Sequence, residues 1–167
     1  LVLRLLACFL FLGISATFAG DLPDLTRTPG VTNPDVTQGN INNTICVTGW
    51  TKTIRPPTSY TNKLKKQQIE EYGYADKRLS LYEEDHLISL QLGGHPTDPK
   101  NLWPEPYHTR CGARIKDVLE TRLKKMICSK PPKISLEDAQ KEIATDWIKA
   151  YKKYVHGGGC PFLEDDQ

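Results

Sequence analysis

The residues best equipped for chemistry lie close together: Asp85-His86, then Asn101 fifteen positions after the histidine. An imidazole with an ordinary pKa of about 6.5 is mostly neutral at physiological pH and can accept a proton there. The adjoining carboxylate offers a hard oxygen to a divalent cation, and a side-chain amide can hold one ring N–H so that the other nitrogen is presented. Elements to position these groups can be read around them. Leu87 to Leu92 largely alternates apolar with small or polar residues, Gly93-Gly94 and residues 95–99 supply a turn and loop, and Leu102-Trp103 returns. This predicts a β-hairpin with a wide tip, in which His86 shares a face with Ile88, Leu90 and Leu92 while Asp85 falls on the opposite one. Both could meet one ion only at the strand's end, through twist or a bulge. A helix follows over residues 112–127, with Ile115, Val118, Leu119, Leu123, Met126 and Ile127 at helical spacing.

Asp85-His86, Asn101 and the helix after them resemble the HNH nuclease motif. The wording Asp-His-Leu-Ile-x-Leu-x-Leu-Gly-Gly, then Asn-Leu-Trp-Pro-Glu-Pro, is similar to a group of small, mostly bacterial proteins that carry this domain. The resemblance spans about Cys46 to Tyr154 and is most specific from Asp85 to Tyr107. It implies an α+β fold built on a ββα-metal (His-Me) finger, with additional helices and a short N-terminal strand. It also implies a metal-dependent endonuclease that hydrolyses phosphodiester bonds. His86 would be the general base that activates water, Asn101 its orienting group, and Asp85 the anchor of one divalent ion, Mg²⁺, Mn²⁺ or Zn²⁺. The chain departs from the pattern where a His or Asn on the final helix should be the second metal ligand, since residues 110–127 contain neither. His108 is the nearest substitute, ahead of Glu105 and Asp117. Arg110 and Arg114 stand where that ligand was expected and could take a phosphate in bidentate hydrogen bonds; Lys100 and Lys116 complete the expected nucleic-acid contacts.

The net charge of +2 conceals a regional bias: sixteen basic against ten acidic residues between 50 and 133 leave +6 around the motif, flanked by −2 over 20–49 and −3 over 134–167. Such a field draws in phosphates irrespective of sequence. No recognition helix or base-reading module is evident, so the expected partner is nucleic acid, DNA before RNA, with little sequence specificity. Two other classes of function fit the same residues. One is a non-catalytic nucleic-acid- or envelope-binding protein with a degenerate finger, and the other a toxin-like nuclease effector or a hydrolase of other phosphodiesters.

Residues 1–19, with Arg4, a long apolar run and the exit Ala16-Thr17-Phe18-Ala19, read as a signal peptide, which predicts a secreted or periplasmic protein without stable membrane association. Residues 20–43, rich in Pro, Asp, Thr and Asn, predict a flexible arm; residues 44–160 a single nuclease-like domain; and residues 161–167 a tail. Thr44 to Trp50 reads as a strand. Helices are expected from about Ser59 to Tyr72 and from an N-cap at Ser135 to Gly157. Cys46, Cys111, Cys128 and Cys160 suggest two disulfides in an exported chain. Of the three possible pairings, Cys46 with Cys128 and Cys111 with Cys160 is preferred, because the first would tie the early strand to the end of the motif helix.

Overall fold

The computed structural model describes residues 20–161, so residues 1–19, expected as a signal peptide, and residues 162–167 of the expected tail lie outside it. The described chain is a mixed α+β structure. Helices α1 (Trp50–Ile54) and α2 (Thr58–Glu71) lead into a two-stranded antiparallel ribbon, β1 (Tyr82–His86) and β2 (Leu102–Pro106). Helices α3 (Ala113–Ile127) and α4 (Leu136–Tyr154) follow. The ribbon register sets His86 opposite Leu102, Asp85 opposite Trp103 and Glu83 opposite Glu105. Pro104 and Pro106 lack an N–H, which a two-stranded ribbon tolerates because each strand has an unpaired edge.

Each face of the ribbon has its own cover. Trp103 is fully buried in the main core with Leu119, Leu123, Ile127, Ile143 and Trp147 from α3 and α4. Tyr82, on the other face, packs with Ile69 of α2 and Tyr74, whose ring stacks on its own at 5.3 Å. Helix α4 begins as its sequence directs: the Ser135 hydroxyl accepts the Asp138 N–H at 3.0 Å. It ends at Tyr154, three residues before Gly157, and is kinked at Asp146, whose backbone is extended. The disulfides pair Cys46 with Cys128 and Cys111 with Cys160. These link the chain before α1 to the end of α3, and the start of α3 to the chain after α4. Two disulfides are compatible with an exported protein, and among the described residues no helix is long and apolar enough to cross a membrane.

Three expectations are corrected. First, β1 is the charged run Tyr82–His86, whereas Leu87, Ile88, Leu90 and Leu92 are all buried and leave the ribbon, Leu90–Leu92 as a 3₁₀ turn. Their alternation is a sequence coincidence: burial on every side needs no sheet. Second, Thr44 to Trp50 is no strand. Hydrogen bonds from Cys46 N to the Ile41 carbonyl, Val47 N to Thr44 and Trp50 N to Val47 wind it into successive turns, and Gly49 at φ 82° turns it into α1. Third, residues 20–43 lie fixed against the loop between the strands. Gly30 N donates to the Lys100 carbonyl, Asn33 N to Gly93, and His95 N to Val31, while Thr28, Asn33, Val36 and Ile41 are buried. The loop's unpaired backbone groups give this segment its order, a partner that composition does not display.

Candidate functional site

His86 closes β1 and is 5% exposed as a residue. Its Nε2 lies 2.9 Å from the Pro96 carbonyl. A carbonyl can only accept, so Nε2 carries the hydrogen of the neutral ring and Nδ1 keeps the lone pair. Burial holds the imidazole below its ordinary pKa, opposed by the Pro96 bond and the Asp85 charge. The ring is therefore neutral at physiological pH, with Nδ1 able to take a proton. His86 lines two adjoining clefts of about 180 and 200 Å³. Arg55 lines both; Lys124 joins it in one and Lys65 in the other.

On the opposite face of β1, Asp85 meets the fully buried Lys116 of α3. The Lys116 ammonium is 2.5 Å from Asp85 Oδ2, 2.6 Å from Glu120 Oε1 and 2.9 Å from the His86 carbonyl oxygen, so its three donors are all used. Burial alone would favour the neutral amine; the carboxylates around it, Asp85 first and then Glu120, outweigh it and keep Lys116 protonated. Burial likewise opposes the Asp85 charge, and Lys116 overcomes it, holding that carboxylate below its ordinary range. Glu105 shares this space, and no hydrogen-bond donor reaches either of its oxygens. Burial and the Asp85 charge push its pKa well up, so it is a neutral acid facing the Asp85 carboxylate, to which its proton can be donated. One ammonium cannot balance three buried carboxylates; protonation of Glu105 lessens the excess, and burial pushes Glu120 up to about 7 as well.

Asn101 is fully buried, and its amide is a clamp for the loop. Its Oδ1 accepts from Ile88 N at 3.0 Å and Val31 N at 3.3 Å, while Nδ2 donates to the Ile88 and His95 carbonyls, both at 3.0 Å. The expectation that Asn101 holds the imidazole is thus corrected: the Pro96 carbonyl does so, and Asn101 fixes the residue before it. Gly94 belongs to the same clamp, since a Cβ there would fall 1.6 Å from the Ile88 oxygen and 2.8 Å from Asn101 Nδ2.

Lys116 is the second correction. Expected at a phosphate, it is 0% exposed and serves as counter-ion to Asp85 and Glu120. The buried face of α3 carries Ala113, Lys116, Leu119, Glu120, Leu123 and Ile127, while Val118, placed by its type on the apolar stripe, is 47% exposed. Two charged residues four apart thus occupy core positions because each neutralises the other. His108 is exposed beyond β2, its ring set edge-on to Tyr107 at 6.4 Å. Lys100 and Arg114 are exposed, the first in the 3₁₀ turn before β2 and the second in the first turn of α3; Arg110 is exposed in the turn preceding α3. None of these four lines the clefts at His86. The cations that do are Arg55, Lys65 and Lys124, none of which the sequence motif singled out. Nothing local marks Arg55, because α1 brings it to the site through tertiary packing.

These residues do not fit a divalent ion as expected. Asp85 Oδ2 is occupied by the ammonium, and among the described residues no three His, Cys, Asp or Glu side chains gather as a ligand set that could include His108. The chain matches no family model, no curated protein and no solved structure.

Proposed function

We propose that this is an exported nuclease that hydrolyses phosphodiester bonds, in DNA before RNA and with little sequence specificity, on a ββα finger formed by β1, β2 and α3. The observation that carries the reading is the fixed neutral imidazole of His86: Nε2–H is tied to the Pro96 carbonyl and Nδ1 is left as the base, beside clefts whose lining mixes Arg55, Lys65 and Lys124 with the acids Glu83, Glu84, Asp117 and Glu120. In the proposed step Nδ1 takes a proton from water as the water oxygen bonds to phosphorus. The bond from phosphorus to the leaving oxygen breaks, that oxygen keeps the electron pair, and solvent returns a proton to it. The guanidinium and ammonium groups meet the charge that develops on the phosphoryl oxygens. Asp85 has no part as a metal anchor in this scheme.

One observation favours a second reading, a nucleic-acid-binding protein without catalysis: the carboxylate that the resemblance makes a metal ligand is engaged by Lys116. The test is incubation of the oxidised protein with supercoiled plasmid and with RNA, in Mg²⁺, Mn²⁺, Zn²⁺ and chelator. Nicking of plasmid is expected in at least one condition. Plasmid binding without cleavage of either polymer in all of them would overturn the nuclease reading in favour of the second.

A further inference from the structure

The ammonium of Lys116 occupies a place with the form of a small metal site. Three oxygens converge on it from three separate sources: the Asp85 carboxylate of β1, the carbonyl of His86 at the strand's end, and the Glu120 carboxylate one turn along α3. All three donors of the ammonium are spent on them, and the group is closed to solvent. A divalent ion within coordinating distance of the same Asp85 carboxylate would stand only a few ångströms from a fixed positive charge, in surroundings that screen poorly. The cation nevertheless lies where it bears on the reaction proposed above. It is bonded to the backbone of His86 itself, and Asp85, His86 and Glu120 are all among the residues lining the cleft that Arg55 and Lys124 also line.

We propose that the Lys116 ammonium replaces the divalent ion at Asp85, so that cleavage at His86 needs no bound metal. This rests on the nuclease reading. Lys116 is a positioning residue: it fixes the strand end that presents the imidazole and takes the ion's place against the Asp85 carboxylate, while Arg55 and Lys124 meet the phosphate. The metal requirement inferred from the resemblance is thereby replaced by a side chain.

Two readouts test it. For the stripped wild-type protein, Mn²⁺ titration by calorimetry is expected to show no binding that Asp85→Asn abolishes, and plasmid cleavage is expected to persist in chelator at about the rate found in Mg²⁺. A Lewis-acid metal contributes several powers of ten in rate, so loss of at least about a hundredfold on chelation, restored by Mg²⁺ or Mn²⁺, would overturn the proposal. Mn²⁺ binding abolished by Asp85→Asn would overturn it equally. If no cleavage occurs under any condition, the nuclease reading fails, but the Mn²⁺ titration still decides whether the ammonium excludes the ion. Lys116→Ser sharpens the result where it folds: it should acquire Mn²⁺ binding through Asp85 and Glu120, and cleavage that depends on Mn²⁺, a change that a merely structural lysine would not produce.

Discussion

Glu84 and Asp85 are neighbours on one strand, both largely withdrawn from water, yet they occupy opposite states. Asp85 faces α3, where Lys116 meets it at 2.5 Å and holds it ionised. Glu84 faces the α2 side, where neither carboxylate oxygen has a hydrogen-bond partner. Burial pushes its pKa up to about 8, with only the Lys65 charge opposing at a distance. A buried carboxylate keeps its charge when a cation is delivered to it and otherwise takes up a proton, so the helix opposite each face decides the state. His86, on the Glu84 face, follows the same rule: burial keeps it neutral, and a loop carbonyl fixes its ring.

The most severe way to break this contrast is Lys116→Met, which leaves Asp85 and Glu120 facing each other in the core. Breaking a buried pair from one side costs about 3–5 kcal/mol, so the urea midpoint should fall by the corresponding amount. Adding Asp85→Asn and Glu120→Gln should recover a large part of the loss, and failure to recover would mean that Lys116 contributes packing rather than charge.

Next in size is Asn101→Ala, which probes whether the His86 side depends on the loop as the Asp85 side depends on the helix. It unpairs buried backbone groups at Ile88, Val31 and His95, at about 1–3 kcal/mol for each that stays dry. Urea unfolding should show a loss of several such units. Hydrogen exchange should quicken over residues 87–96 before it does in α3.

Glu84→Gln sharpens the contrast through pH. The folded-state pKa of Glu84 is raised from 4.5 to about 8, so between these values the native chain holds a proton that the unfolded chain has released. Stability therefore falls as pH rises through that window, by at most about 1.4 kcal/mol per pH unit from this group, and the loss is complete above it. Urea titrations at several pH values should show a flatter profile for the variant. Glu105, raised in the same direction, should leave a residual slope. The smallest effect is on His86: nitrogen-detected NMR should find the Nε2–H tautomer and a titration below the ordinary imidazole value of about 6.5. An Nδ1–H tautomer would contradict the geometry at Pro96.

Apolar residues at helical spacing located α3, and Ser135 announced the cap of α4, but the stripe read on α3 took in the exposed Val118 and passed over Lys116 and Glu120, and α2 was placed without such a stripe. Periodicity misplaced β1, because three consecutive acidic residues do not look like a ribbon between two helices, and because Leu87 to Leu92 alternates without being a strand. The motif pointed to His86, Asp85 and Asn101 but assigned Asn101 the wrong contact, since whether an amide meets an imidazole or a loop backbone depends on loop path. Lys116 was legible as a charge and illegible as a core residue. Its burial follows only from Asp85 lying across from it in space, a pairing 31 residues apart in sequence. Arg55 was missed for the same reason, being brought to the cleft by the docking of α1.

The proposed role of His86 as proton acceptor in phosphodiester cleavage is decided by the single-turnover rate of plasmid cleavage by His86→Ala, with plasmid affinity measured alongside. The account predicts a fall of about 10²–10⁴ in rate, the usual contribution of a general base, at nearly unchanged affinity. A rate within about twofold of wild type would contradict it, being far below that range.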